Sequence, residues 1–247
     1  MFILGGIGHN REEIPIGIVE KIKEADYVFL EGYTNFIDED TLRYLRSLRE
    51  DIIIVDRNFV EGELEDFILK NRDKKIMLLV SGNPLFATTH AYFLKFCKDN
   101  NIEFKVIGSS SIFDEVGKTG LFLYKFGKIV SIPFHESESF FEDIIVNYKN
   151  GMHTLILLDL DPISGKYLDL REALNRIINL DRLKNTNMFS DKTEIVLCSN
   201  LGREGERIIY TDIKNAMNLN LNPPICIIIP GRLNEIEKEI LKCMTSY

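Results

Sequence analysis

The sequence predicts an α/β fold built from two domains. In the first half of the chain, short apolar runs alternate with stretches of helical periodicity, the pattern of parallel strands joined by right-handed helical crossovers. In the second half the elements follow a less regular order, which favours a mixed sheet. The segment that closes at Gly127 separates the halves. We therefore place an N-terminal domain with a parallel sheet at residues 1–127 and a C-terminal domain with a mixed sheet at residues 128–247.

The predicted strands of the first domain are short apolar runs, and its predicted helices place apolar residues three and four positions apart. The strands cover residues 2–7, 27–30, 52–55, 76–80 and 104–107. The helices cover residues 15–25, 41–49, 61–70, 91–96 and 112–116. Pro15 stands at the start of its helix, where the missing N–H is tolerated. Gly117 and Gly120 end the last of these helices.

The second domain contains the same two patterns. Its predicted strands cover residues 129–134, 154–158, 194–198, 207–210 and 225–229. Its predicted helices cover residues 140–148, 169–180, 213–217 and 235–244. In the second of these helices Leu170, Leu174 and Ile177 share one apolar face, which predicts that the helix packs against the sheet. Residues 183–192 are predicted to form a polar loop.

Composition and charge exclude several classes of protein. The 247 residues are 45% hydrophobic and carry a net charge of −8, which disfavours binding to nucleic-acid phosphates. The longest apolar runs, such as residues 225–229, are too short to span a bilayer, and no signal-peptide pattern is found. We expect a cytoplasmic protein that binds neither nucleic acid nor a membrane.

The cysteines and histidines predict no metal site. The four cysteines include no C-x-x-C pair, and the four histidines lack the spacing of metal ligands. Cys198 and Cys226 lie inside apolar runs that are typical of strands. We expect reduced thiols and no bound metal.

The most informative segment is the ten residues from Ser81 to His90, with the sequence SGNPLFATTH. It follows a predicted buried strand and precedes a predicted helix, so it lies at the carboxyl edge of a parallel sheet, where ligands bind. Gly82 allows a turn or a close approach of the backbone. Thr88 and Thr89 are placed to cap the following helix.

Gly6-Ile7-Gly8 follows the first predicted strand, and Glu31 ends the second, which is roughly the layout of a dinucleotide-binding fingerprint. The third glycine of that fingerprint is replaced by Arg11, whose bulk would hold the helix away from the sheet. We therefore favour a tight turn at the sheet edge over a nicotinamide site. The chain also contains no phosphate-binding loop of the G-x-x-x-x-G-K-[ST] type and no G-x-S-x-G nucleophile motif.

Five segments of the chain match the motifs of one known family in the same order. They are Leu30–Thr34, Gly82–His90, Gly120–Gly127, Gly151–Leu155 and Leu157–Asp159. In them the chain closely resembles the diphthine synthases, a branch of the tetrapyrrole methylase superfamily, almost from end to end. The sequences ATTH and LYKFG are specific to this branch.

The resemblance implies two α/β domains of the tetrapyrrole methylase type, with S-adenosylmethionine bound in the cleft between them. It implies a homodimeric enzyme whose substrate is elongation factor 2, modified at a histidine by a 3-amino-3-carboxypropyl group. Members methylate the amine repeatedly, leave S-adenosylhomocysteine and supply diphthamide biosynthesis. Eukaryotic members also methylate the carboxylate, and we expect the methyl ester to be included here.

The resemblance also implies eight cofactor contacts, carried over by position within the motifs. They are His9 after the first G-x-G, Asn83 and Phe86 in the loop of the most informative segment, Ser111 and Ile112 after the fifth strand, Leu158 before a strand-end aspartate, Leu201 beside a glycine, and Ile225 after the paired prolines.

Three of these positions depart from the family pattern. Asn83 replaces an aspartate, Phe86 replaces a small or aliphatic residue, and His9 replaces a leucine. Asparagine accepts a hydrogen bond as aspartate does and also donates one. If the aspartate's carboxylate balances the charge of the sulfonium, the affinity for the cofactor should fall.

The catalytic residues are not assigned, because the sulfonium already activates the methyl group and the protein mainly aligns the reacting atoms. Glu31 or Tyr124 could accept the proton of the substrate amine. Two alternatives stay open, namely a small-molecule methyltransferase that acts on tetrapyrroles and a catalytically inactive relative that binds the cofactor.

Overall fold

The computed structural model describes residues 1–161 and 164–244. The chain divides into two compact units, Met1–Ile112 with Asp161–Ser164 and Phe113–Leu160 with Gly165–Tyr247. The domain boundary at Gly127 stays a prediction, because compactness alone does not show which part of the chain folds by itself. Residues 162, 163 and 245–247, which belong to the predicted second domain, lie outside the described residues.

The first unit contains a five-stranded sheet in which every neighbouring pair is parallel, as predicted. The strands are β1 (Phe2–Gly6), β2 (Tyr27–Glu31), β3 (Ile53–Val55), β4 (Ile76–Val80) and β5 (Phe104–Ile107), in the order β3-β2-β4-β1-β5. All residues of β1 and β4 are buried. Continuous apolar runs such as these are typical of parallel strands that are covered on both faces.

Helices cover both faces of this sheet. They are α1 (Ile16–Glu24), α2 (Glu39–Leu48), α3 (Leu64–Lys70) and α4 (Tyr92–Asp99). The helix α5 (Ile112–Val116) follows β5 in the chain. Ile18 of α1 and Leu45 of α2 pack with one set of alternating strand residues. Ile68 of α3 and Phe93 of α4 pack with the other set, on the opposite face.

The second unit contains a mixed sheet, which confirms the predicted fold class. Its strands β6 (Val130–Ile132) and β7 (Thr154–Leu158) are parallel. A two-stranded sheet of β8 (Leu160–Asp161) and β9 (Lys166–Tyr167) follows in the chain. The mixed sheet is completed by antiparallel pairing of β10 (Glu194–Ser199), β11 (Arg207–Asp212) and β12 (Ile225–Ile229), in the order β11-β10-β12-β7-β6.

The helices of the second unit are α6 (Ser139–Lys149), α7 (Leu170–Leu183), α8 (Ile213–Ala216) and α9 (Glu235–Cys243). Polar side chains begin three of them. Asp169 accepts the first free N–H groups of α7, Asp212 accepts one from α8, and Asn234 forms a capping box with Glu237 in α9. Apolar residues of α6 and α7 form one core with the sheet.

Several elements differ from their predicted bounds for local reasons. The helix α2 begins at Glu39, two residues earlier than predicted, because the Asp38 side chain accepts the N–H of Thr41. The strand β6 ends at Ile132, since Pro133 has no N–H to donate. The helix α7 continues to Leu183, so that residue is not in the predicted polar loop.

Candidate active site

The carboxyl ends of β1 and β4 lie side by side in the parallel sheet, and their connections leave toward opposite faces. The strand β1 leads to α1 on one face, and β4 leads to α4 on the other. In open α/β sheets, ligands bind at such a switch point beyond the carboxyl ends of the strands. The loops after β1, β4 and β5 therefore form the candidate site.

Two glycines bring the loops after β1 and β4 into direct contact. The N–H of Gly82 donates to the carbonyl of Gly8 at 2.8 Å, and the N–H of Gly8 donates to the carbonyl of Gly82 at 3.4 Å. Both residues have positive φ, +69° at Gly8 and +77° at Gly82. A Cβ atom on Gly6 would lie 2.5 Å from the Gly82 carbonyl oxygen. The G-x-G sequence thus permits the close approach of two protein loops.

Glu13 connects the loop after β1 to the loop after β5. Its Oε2 atom accepts the backbone N–H of His9 at 2.8 Å, and its Oε1 atom accepts the side-chain amide of Asn10 at 2.7 Å. The hydroxyl of Ser109 donates to the Glu13 carbonyl at 2.9 Å, and the hydroxyl of Ser110 donates to Glu13 Oε2. The sequence analysis did not identify Glu13, because its partners after β5 are nearly a hundred residues away. The only local signal is its position in the short helix capped by Asn10.

Three of the eight predicted cofactor residues flank these contacts. His9 is buried, and its Cε1 atom lies 3.5 Å from the position of a Cβ atom built on Gly82. Ser111, also buried, follows β5. Ile112 is half-buried and begins α5. The structure therefore places all three at the carboxyl edge of the parallel sheet.

Asn83 and Phe86 lie in the loop after β4 and are joined to each other. The side-chain amide of Asn83 donates to the Ser109 carbonyl at 3.1 Å, and its Oδ1 atom accepts the N–H of Leu85 at 3.0 Å. The N–H of Phe86 donates to the Asn83 carbonyl at 3.1 Å, which closes a turn. Asn83 uses both its donor and its acceptor here. An aspartate could reproduce only the second contact.

The threonines of this loop do not cap α4, so that prediction is wrong. The residue before the helix is Ala91, and no side chain accepts the first N–H groups. The Thr88 hydroxyl donates instead to the Pro84 carbonyl at 2.8 Å, within the loop itself. Ala87 has a φ of +54°, which turns the chain between these residues.

A buried histidine and glutamate lie next to each other at the adjacent strand end. Glu31 is the last residue of β2, His90 ends the loop after β4, and both are at least 97% buried. His90 Nε2 lies 2.6 Å from Glu31 Oε2. Burial, followed by the negative charge of Glu31, raises the pKa of the nearby Tyr33 hydroxyl, so Tyr33 stays protonated.

The other three predicted cofactor residues share one edge of the mixed sheet. Leu158 ends β7, Ile225 begins the antiparallel neighbour β12, and Leu201 follows the end of β10. Ser199 of β10 is paired with Ile225. Leu158 and Leu201 are buried and Ile225 is half-buried. The register of the sheet therefore brings these three positions together.

Charged side chains hold the loop that carries Leu201. The N–H of Gly202 donates to Glu206 Oε2 at 2.7 Å, and Lys118 Nζ lies 2.9 Å from the same oxygen. Lys118 also lies 2.6 Å from Glu115 Oε2. Burial lowers the pKa of Lys118, but its hydrogen bonds to Glu115 and Glu206 outweigh that effect and raise it.

Of the two proton acceptors suggested by the sequence, Glu31 is buried at the candidate site and Tyr124 is 82% exposed in a short helix at Leu123–Lys125. Residues 1–161 and 164–244 contain no group of three side chains placed to hold a metal ion. The four cysteines are free thiols. Across the same ranges, no helix is both long and apolar enough to traverse a bilayer.

Comparisons with known proteins agree with this architecture. Residues 1–216 match the family described as Tetrapyrrole (Corrin/Porphyrin) Methylases. A diphthine synthase of Methanococcus maripaludis is 32% identical over 249 residues, covering 98% of each chain. That of Methanococcus aeolicus is 34% identical, covering 98% of this chain and 97% of the relative. The crystal structure of an Entamoeba histolytica protein assigned as a diphthine synthase superposes with a TM-score of 0.86 at 26% identity, covering 99% of each chain.

The matches to the relatives extend over nearly the full length of the chain and of each relative. The chain therefore belongs to the tetrapyrrole (corrin/porphyrin) methylase family, within its diphthine synthase group, and is a methyltransferase.

Proposed function

We propose that this chain transfers methyl groups from S-adenosylmethionine to the 3-amino-3-carboxypropyl-histidine of elongation factor 2, a step of diphthamide biosynthesis. The observation that carries the proposal is the full-length identity of 32–34% to diphthine synthases. The site supports it, because its loops lie at the sheet edge where this class of fold binds ligands.

The residues at the candidate site fit a sulfonium cofactor. The loops at residues 5–10, 81–90 and 108–112 contain no lysine or arginine, so they present no positive side chain to a sulfonium cation. Glu13 and Glu31 instead place two carboxylates beside these loops. Half-buried Phe86 and Ile112 offer apolar surface of the kind that an adenine ring contacts.

We assign the cofactor contacts to the eight residues His9, Asn83, Phe86, Ser111, Ile112, Leu158, Leu201 and Ile225. When bound, S-adenosylmethionine supplies a methyl group that its positive charge has already activated. The chain's own contribution is to hold the loops in place, to orient the substrate amine and to keep water away. Such positioning is worth roughly 7–11 kcal/mol in well-aligned reactions.

The deciding experiment uses elongation factor 2 purified from cells that lack this gene. Incubation with the purified chain and S-adenosylmethionine is expected to add methyl groups to the modified histidine, counted by mass spectrometry of the peptide that contains it. Calorimetry should show binding of S-adenosylhomocysteine and none of NAD. An unmodified peptide after incubation with a chain that binds the cofactor would refute the proposed substrate.

The same assay separates the two alternatives. A methyltransferase specific for tetrapyrroles would leave the elongation factor unchanged and methylate a tetrapyrrole supplied in its place. An inactive relative would bind S-adenosylhomocysteine and methylate neither. The sequences ATTH and LYKFG, in which the chain resembles the diphthine synthases, favour the protein substrate.

Three finer features are part of the proposal. We infer a homodimer, a cytoplasmic location, and transfer of a final methyl group to the substrate carboxylate. Sedimentation of the purified chain tests the first, and fractionation of cells tests the second. The number of added methyl groups tests the third, because a methyl ester adds one group beyond the trimethylated amine and is removed by mild alkali.

A further inference from the structure

The described part of the chain contains two buried pairs of a histidine and a glutamate, and they differ in one respect. In the second unit, Nε2 of His153 lies 2.9 Å from Glu237, and Nδ1 of the same ring accepts the N–H of Gly231 at 2.9 Å. In the first unit, Nε2 of His90 lies 2.6 Å from Glu31 Oε2 without hydrogen-bond geometry, and Nδ1 of His90 has no hydrogen-bond partner. Both ring nitrogens of His153 therefore have hydrogen-bond partners, whereas those of His90 have none.

The incomplete pair lies at the candidate active site. Glu31 ends β2, which is the direct neighbour of β4 in the parallel sheet. His90 belongs to the same loop as Asn83 and Phe86, which we assign to the cofactor. Buried polar atoms almost always have hydrogen-bond partners, so the buried Nδ1 atom of His90, which has none, indicates a group that a ligand completes.

Several titratable and charged side chains lie around Glu31 and His90. Tyr33, on the same strand end, stays protonated because burial and the charge of Glu31 raise its pKa. Arg57, in the segment after β3, lies over the Tyr33 ring at 5.1 Å from its centre. The negative charge of Glu61, from the same segment, also raises the pKa of the Tyr33 hydroxyl. From α4, Phe93 stacks near the His90 ring, with ring centres 6.3 Å apart. Of the three charged side chains of α4, Lys95 and Asp99 pair with each other, and the third is Lys98.

We propose that Glu31 and His90 form the proton acceptor of the methyl-transfer reaction, with His90 as the catalytic base and Glu31 as the residue that positions it. The inference rests on the proposed function. The Glu31 carboxylate stabilises the imidazolium that forms, and Nδ1 of His90 receives the proton. Because His90 is buried, it is screened from water and takes its proton from the bound amine.

The step balances without a further reactant. An N–H bond of the substrate ammonium breaks, and its proton moves to His90 Nδ1. The freed electron pair of the nitrogen forms a bond to the methyl carbon, the bond from that carbon to sulfur breaks, and its electrons stay on sulfur. The imidazolium then releases the proton to water before the next transfer. Methylation of the carboxylate needs no such step, since a carboxylate is already deprotonated at neutral pH.

The test compares His90→Gln and Glu31→Gln with the wild-type chain at two pH values. Aliphatic amines hold their proton at about pH 7 and release it at about pH 9.5 or above. We expect each variant to lose about 100-fold in single-turnover N-methylation of elongation factor 2 at the lower pH, and less than about 5-fold at the higher pH. Binding of S-adenosylhomocysteine should stay within about threefold of the wild-type value in either soluble variant.

His153→Gln is the matched control, because it also removes a buried histidine from a glutamate. It should lower the thermal midpoint but leave the ratio of rates at the two pH values as in the wild type. A His90→Gln defect that is equal at both pH values, in a variant that still binds S-adenosylhomocysteine, overturns the inference alone. No transfer by the wild-type chain at either pH overturns the proposed function and the inference with it.

Discussion

Nε2 of His153 lies 2.9 Å from Oε1 of Glu237 in the second unit, and neither side chain is exposed to solvent. The same carboxylate accepts the N–H of Phe122 at 3.0 Å and that of Asn234 at 2.9 Å, and it pairs with Lys125. Glu237 is also the capping-box residue of α9. One acidic side chain therefore joins the start of the last helix to two earlier parts of the same unit.

Stability at acid pH should depend on this pair. Burial raises the pKa of Glu237, but hydrogen bonds from Lys125, the Asn234 and Phe122 amides and His153 hold it at about 2. Its contribution, roughly 3 kcal/mol, is complete above the unfolded value of 4.5 and is lost as the pH falls toward 2. Burial lowers the pKa of His153, so stability already declines as the pH falls below 6.5.

Denaturant unfolding between about pH 8 and pH 3 measures both parts of this prediction. Glu237→Gln should remove most of the loss below pH 4.5 while lowering stability at neutral pH by about 3 kcal/mol. His153→Gln should flatten the decline that begins near pH 6.5. Unfolding free energies that fall equally steeply in all three proteins would contradict the assignment.

Two glycines at the candidate site should differ in their tolerance of alanine. A Cβ atom on Gly8 would lie 2.4 Å from Glu13 Cβ, whereas the nearest atom to one on Gly82 is at 3.5 Å. Both have positive φ, so Gly82→Ala should cost about 1 kcal/mol in unfolding free energy and Gly8→Ala more than about 2 kcal/mol. Because Gly8→Ala also displaces Glu13, it should weaken binding of S-adenosylhomocysteine more than Gly82→Ala does. Equal affinities of the two variants in calorimetry would argue against a binding role for this turn.

Asn83→Asp, which restores the residue typical of the family, should destabilise this chain. The Asn83 amide donates to the Ser109 carbonyl at 3.1 Å, and an aspartate would place a carboxylate oxygen against that carbonyl. We expect a loss of about 1–3 kcal/mol in unfolding free energy and a lower methylation rate. Asn83→Ala is the control, since it removes the hydrogen bonds without adding charge. A gain in turnover with Asn83→Asp would instead support the catalytically inactive alternative.

Glu206→Ala should weaken cofactor binding through the loop that carries Leu201. The substitution removes the acceptor of the Gly202 N–H at 2.7 Å and one partner of Lys118. We expect the dissociation constant of S-adenosylhomocysteine to rise by about tenfold, which corresponds to loss of one charge-assisted hydrogen bond. Lys118→Ala keeps the contact with Gly202 and should have a smaller effect. Unchanged calorimetric affinity in Glu206→Ala would remove Leu201 from the cofactor site.

Strands could be predicted closely from the sequence because each is a compact apolar run between polar turns. The bounds of β4, β5, β7 and β12 are as predicted. The bridge between β8 and β9 was missed, since strands of two residues show no periodicity. The π-helical turn at Phe59–Glu63 was missed, and its last three residues were predicted as the start of an ordinary helix at residue 61.

The sequence motifs predicted which loops carry the candidate site, but they did not predict the contacts between those loops. A sequence shows that Glu31 ends one strand and that His90 precedes a helix, yet only the strand order β2-β4 places them 2.6 Å apart. Glu13 was missed for the same reason, because only the pairing of β1 with β5 brings Ser109 and Ser110 to it from nearly a hundred residues away. The role of Thr88 was misjudged, because α4 begins only at Tyr92, and the Thr88 hydroxyl accepts the N–H of His90 in the loop before it.

Contacts with neighbouring segments hold the loop from Ser81 to His90 near both of its ends. Gly82 is hydrogen-bonded to Gly8 and Asn83 to the loop after β5, and His90 lies 2.6 Å from Glu31. A segment pinned in this way has a fixed length, because one inserted or deleted residue would shift His90 away from Glu31 or Asn83 away from Ser109. Members of this family should therefore vary in which side chains they place between these anchors, but not in how many.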